Sequence, residues 1–176
     1  MAFISFILKR AYFNIHMRKT IFTVIGLIFL SLILSTYFYS HMPEQMATHW
    51  NSQGEVNGYM SKLYGLFLMP LIVTCIAVMF LIIPQIDPLK ENIKKFSNYY
   101  DRFIIILILF LLVVQVHLLL WNVGIQIKSN VLFPIGFGLL FYYGGILIEM
   151  QKETGSLVLK PHGHSVATKY GKKLIG

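Results

Sequence analysis

Four side chains with the chemistry of metal ligands or proton carriers, His41, Glu44, His49 and Glu55, stand in one polar stretch between residues 40 and 62. Imidazole nitrogens and carboxylates bind zinc and move protons. Their spacing favours neither use. His41 and His49 are eight residues apart in a turn-rich stretch, not at the close spacing of a metal motif, and remain weak metal candidates only. Glu44 and Glu55 are eleven residues apart across turns, so nothing brings the two carboxylates together for acid–base work. His49 is therefore expected to order the loop backbone or to touch a partner.

A second pair, Gln115 and His117, interrupts an apolar run. Two helical steps turn through about 200°, so these two residues face opposite ways, whereas His117 and Trp121 share a face. A polar residue in hydrocarbon marks function by default. An interhelical hydrogen bond of about 0.6–2 kcal/mol accounts for it as well. A third pair, His162 and His164, lacks a third ligand. The chain shows no Ser/His/Asp order, no His-Glu-x-x-His and no phosphate loop, so no catalytic residue, no enzymatic activity and no cofactor are expected.

The elements that must position these residues are membrane helices. Of the 176 residues, 56% are apolar and 12% charged, against about 25% charged in an ordinary soluble domain. A globule this small cannot hide so much apolar surface, so a lipid bilayer must act as second solvent. Four apolar runs, at residues 20–39, 63–83, 103–123 and 131–148, each approach the length that spans about 30 Å of hydrocarbon. The first follows Lys9, Arg10, Arg18 and Lys19 but is too long for a signal peptide and lacks a small-residue cleavage site, so an uncleaved helix is expected. Pro70 should kink the second helix and leave a carbonyl for a neighbour to satisfy. Pro134, Gly138 and Gly145, with Gly136 and Gly144 beside them, predict close helix packing on the fourth. Cys75 is the single cysteine, which excludes an intrachain disulfide and a thiolate cluster.

The net charge of +8 is distributed around these runs. All but Lys62 and Lys128 of the fifteen Lys and Arg residues fall before the first run, between the second and third, or in the tail. This alternation predicts a four-helix bundle with both termini cytoplasmic and the 40–62 loop outside. It matches anionic headgroups and excludes nucleic acid as the partner. Residues 1–19 mix Phe3, Ile4, Phe6, Ile7 and Leu8 with basic residues, as an interfacial segment would. The tail 151–176 has two β-prone strips around Pro161 and Gly163, consistent with a small hairpin or with a disordered basic tail.

The outward loop carries the most specific signal. Asn51 to Gly54 and Val56 to Gly58 are turn signals, and Met42, Met46, Trp50, Tyr59 and Met60 are large and apolar. Such a loop should fold back against the membrane surface or the helix ends as a small structure.

Pro43, Thr48-His49-Trp50-Asn51, Gly54-Glu55, Gly58 and Ser61-Lys62, running straight into an apolar span, resemble the motif of SdpI-type membrane proteins, the domain of unknown function 1648. The resemblance covers roughly residues 20–85. Ala47 stands where that family usually has a second proline, and the cytoplasmic Asn…Gly-x-Arg-Thr motif of its longer members is absent. The resemblance implies immunity to a secreted peptide or toxin, coupled to a cytoplasmic regulator, with His49, Trp50, Asn51, Gly54, Glu55 and Gly58 as the contact candidates. A homo-oligomer is compatible with it. The alternative is a small transporter or channel subunit that uses Gln115 and His117 of the third span.

Overall fold

The computed structural model describes the backbone of residues 2–86 and 90–153 and the side chains of residues 18–84 and 96–150. The expected tail hairpin, with His162 and His164, lies outside the described residues.

Helix α1 (Ala2–Phe38) ends in a short 3-10 turn at Tyr39–His41. Strands β1 (Gln45–Trp50) and β2 (Val56–Ser61) follow, then α2 (Lys62–Ile86), α3 (Lys90–Asn122) and α4 (Ser129–Glu153). Within them, Arg18–His41, Lys62–Pro84, Phe96–Asn122 and Ser129–Met150 are long and apolar enough to cross a bilayer. The protein is a mostly helical, multi-pass membrane protein. The basic stretch before residue 20 and the first span run as one continuous helix. Helix α3 departs from helical geometry at Phe96 (φ −117°, ψ 18°), the residue at which its membrane-length part begins.

Helices α1, α2 and α3 share a core of Val24, Val73, Ala77, Phe96, Tyr100, Ile104 and Ile108. Helix α4 packs chiefly on α3 and leaves most of its apolar surface outward, with Phe141 77% exposed. Such a face belongs in hydrocarbon, where an apolar side chain carries no penalty for exposure.

Two prolines free a carbonyl each, and a hydroxyl from a neighbouring helix takes each one up. Pro70 has no N–H to offer the carbonyl four residues back, at Leu66. Ser35 Oγ of α1 donates to that oxygen at 2.7 Å. Pro84 frees the carbonyl of Phe80 in the same way, and Tyr100 Oη of α3 donates to it at 2.7 Å. In lipid these carbonyls have no water to turn to, so each pair ties two helices together.

The small-residue face of α4 differs from its expectation. A Cβ on Gly136 would lie 2.2 Å from the Phe110 ring, so close packing occurs there. Nothing lies within 4 Å of the corresponding positions on Gly138 and Gly145. Gly136 is two residues from Gly138 and thus on roughly the opposite side of the helix, which is why the Pro134–Gly138–Gly145 spacing pointed away from α3.

Candidate functional site at the interhelical hairpin

The stretch between α1 and α2 is an antiparallel β-hairpin, the one sheet among the described residues. Gln45 faces Ser61, Met46 faces Met60 and Ala47 faces Tyr59, after which the register shifts on both sides of His49. A bond from the Lys62 amide to the Glu44 carbonyl (2.9 Å) extends the ladder to the start of α2. The Glu44 carboxylate lies 3.5 Å from Lys62 Nζ, which also sits 4.8 Å above the Tyr39 ring.

The inner half of the hairpin is built into the bundle. Met46 is fully buried among Met42, Leu66, Leu118 and Leu119, and a Cβ on Gly65 would touch Met46 at 3.0 Å. The edge of β1 is closed by Asn122 at the end of α3. Its Oδ1 accepts from the Ala47 amide (2.8 Å), and its Nδ2 donates to the Ala47 carbonyl (2.9 Å) and to the Leu118 carbonyl (2.9 Å). One carboxamide thus supplies the donor and acceptor that a third strand would have offered.

The outer half is closed on itself. Asn51 Oδ1 accepts from the amides of Gln53 (3.0 Å) and Glu55 (2.9 Å), and Asn51 Nδ2 donates to Glu55 Oε2 (3.0 Å). Backbone bonds between Asn51 and Glu55 (2.9 Å) and from the Gly54 amide to the Asn51 carbonyl (3.0 Å) complete the turn. Gly54 has φ +84°, a conformation glycine adopts without strain. His49 bonds Asn57 on the opposite strand, and a Cβ on its facing residue Gly58 would lie 2.8 Å from His49 Cβ. Four of the candidate residues, His49, Asn51, Gly54 and Glu55, therefore shape the hairpin, while the His49 ring and the Glu55 carboxylate stay exposed.

Trp50 turns inward. Its ring centroid is 4.9 Å from that of His117 on α3, 5.4 Å from Trp121 and 6.5 Å from Phe133 on α4. His117 is five residues from the end of α3, about 7.5 Å along the axis, and so lies just beneath the hairpin. Its partnership with Trp121 (5.8 Å) follows the shared face read from spacing. The expected interhelical hydrogen bond is missing, because neither ring nitrogen of His117 has a partner.

Gln115 faces the other way and is fully engaged. Its Oε1 accepts from Ser31 Oγ (2.6 Å), and its Nε2 donates to the Ser31 carbonyl (2.9 Å) and to Ser35 Oγ (3.0 Å). Through Ser35 this network reaches the carbonyl that Pro70 frees. His41 leans on Tyr37 (5.9 Å) and its Nδ1 lies 3.2 Å from Ser40 Oγ. His41, His49, Glu44 and Glu55 are thus each held by different neighbours, and no three His, Cys, Asp or Glu residues come together among the described residues.

The hairpin tip and the α3–α4 turn lie on the same side of the bundle. A Cβ on Gly54 would meet the Asn130 carboxamide at 3.4 Å and Ser129 Oγ at 3.6 Å. Gln53, Gly54, Trp121, Gln126, Lys128 and Asn130 line a polar pocket of about 360 Å³ there. Sequence reading missed Asn122, Ser31, Ser35, Ser129 and Phe133 as partners of this region. For the four polar ones the available signal was their place in the chain, small polar groups inside or at the ends of apolar runs; Phe133 carried none.

The family model described as Domain of unknown function (DUF1648) matches residues 26–74. The matched segment begins within α1, contains the whole hairpin and ends within α2. No curated protein and no solved structure matches the chain.

Proposed function

We propose that this is a non-enzymatic protein of the cell membrane, of SdpI type, whose hairpin faces the outside and recognises, or shields the membrane from, an extracellular peptide or toxin. The observation that carries the reading is the coincidence of the matched segment with the hairpin and the adjoining parts of the two helices that flank it. A turn shaped by its own hydrogen bonds presents side chains at low ordering cost to a ligand. The exposed His49, Glu55 and Tyr59 are the candidate contacts. The orientation rests on charge, since Lys62 and Lys128 are the only basic residues of the two connections that meet on this side.

The test is a challenge of cells carrying the chain with secreted peptide toxins. His49→Ala and Tyr59→Ala, at normal membrane levels, should abolish protection. Unchanged protection from both variants would refute the reading. A cysteine in place of Asn57, in a Cys75→Ser chain, should react with an impermeant maleimide on intact cells; if it resists, the orientation is inverted.

The reading as a transporter or channel subunit finds less support. Gln115 spends its carboxamide on α1, and His117 lies against the hairpin on another face, so the two do not line one path.

A further inference from the structure

We propose that the outer half of the hairpin, residues 48–57, is a hinged cover over His117, closing on α4 through Gly54 and opening at the register shifts that flank His49. The inference does not depend on the functional reading above.

The hairpin consists of two mechanically different halves. The inner half is tied to three helices by the burial of Met46, by the Asn122 carboxamide on Ala47 and by the Glu44–Lys62 bonds. The outer half keeps its hydrogen bonds to itself. Among the described residues, none runs from residues 48–57 to a helix. What holds the tip down is the Trp50 ring against His117, Trp121 and Phe133, with Gly54 near enough to α4 that an added Cβ would meet Asn130 and Ser129. The register shifts between Ala47 and His49 and between His49 and Trp50 separate the halves. A bulge interrupts the ladder and gives the strand a place to bend.

The closed contact is also poorly satisfied. Trp50 Nε1, both ring nitrogens of His117 and Ser129 Oγ are buried beneath the tip without a hydrogen-bond partner. Groups left in this state oppose closure, and the ring faces they accompany favour it. The tip is therefore held by ring contacts alone against the cost of these unpaired groups. Lifting the tip gives all four atoms access to water and opens a short way from the membrane surface to His117. The rest of the fold need not move, because the Asn122 clamp sits on the inner side of the bend.

The experiment uses the full chain in membranes with Cys75→Ser, Gln53→Cys and Asn130→Cys, the latter two positions lining one pocket across the contact. A reducible bifunctional methanethiosulfonate locks the tip. Acylation of histidines by diethyl pyrocarbonate is then followed by peptide mass spectrometry. His117 should react in the unlocked chain, react at least tenfold more slowly when locked and recover on reduction. His49 should react alike throughout. Equal rates at His117 in both states, absence of reaction in the unlocked chain, or failure of the two cysteines to cross-link would each overturn the proposal.

Discussion

The carboxamide of Asn122 completes the β1 edge by exchanging two hydrogen bonds with Ala47, 75 positions away in sequence. A two-stranded hairpin is marginal by itself. Here one side chain at the end of a membrane helix gives it the third partner it lacks, and fixes its height above the bundle. The position of Trp50 over His117, three residues further along the strand, follows from that placement.

Asn122→Ala should therefore act on the hairpin before it acts on the bundle. It leaves the Ala47 amide and carbonyl without partners in a largely buried place, at a cost of about 1–3 kcal/mol. Since about 1.4 kcal/mol is a factor of ten, hydrogen exchange at the Ala47 amide should quicken by roughly five- to hundredfold. Exchange in the middle of α3 should be unchanged. Equal exchange at Ala47 in both proteins would show that the clamp is idle.

Ser35 and Pro70 should be coupled, because one repairs what the other breaks. Ser35→Ala leaves the Leu66 carbonyl unsatisfied and should lower stability in detergent by about 0.6–2 kcal/mol. Pro70→Ala restores the backbone N–H that this carbonyl would take in an unbroken helix. In a double-mutant cycle the Ser35→Ala cost should shrink in the Pro70→Ala chain. A remainder is expected from Gln115, which also donates to Ser35. Additive effects would mean that the hydroxyl is not serving the freed carbonyl.

The glycines of α4 separate by face. Gly136→Ala drives a methyl into the Phe110 ring and should cost about 1–3 kcal/mol, less if the ring swings aside. Gly138→Ala meets nothing and should stay within about 0.5 kcal/mol. Thermal unfolding in one detergent measures both. A Gly138 variant as damaging as the Gly136 one would place a partner on that face.

Much of this architecture was legible in the chain. Four apolar runs of membrane length announce four helices, because lipid leaves the backbone no cheaper way across. The opposite facing of Gln115 and His117 followed from two helical steps, and the acceptance of the Pro70-freed carbonyl by a neighbour followed from the missing N–H. The hairpin was legible only as turns. Its strands do not alternate apolar and polar residues, since Met46 and Ala47 are both buried and the shifts around His49 break the period of two. Asn122 and Ser31 were invisible for another reason. Their meaning lies in groups 75 and 84 residues distant, and periodicity carries no information about which helix meets which. His117 was readable as a polar group in an apolar run, but its place beneath the Trp50 ring without a hydrogen-bond partner was not.

Asn51 and His49 lie two residues apart in the motif-bearing loop, yet their substitutions should differ in kind. Asn51→Ala removes the acceptor for two turn amides and the tie to the Glu55 carboxylate. At about 0.5–1.5 kcal/mol for each bond lost, the tip should loosen measurably. The Glu55 amide should exchange faster and the turn should become a site of proteolysis. His49→Ala removes one exposed side-chain bond to Asn57 and should alter stability by no more than about 0.5 kcal/mol. Any loss of protection in the His49 variant would then report contact with a ligand, whereas the same loss in the Asn51 variant would also follow from a misshapen turn. If the two variants exchange alike at Glu55, the Asn51 side chain is not what closes the turn.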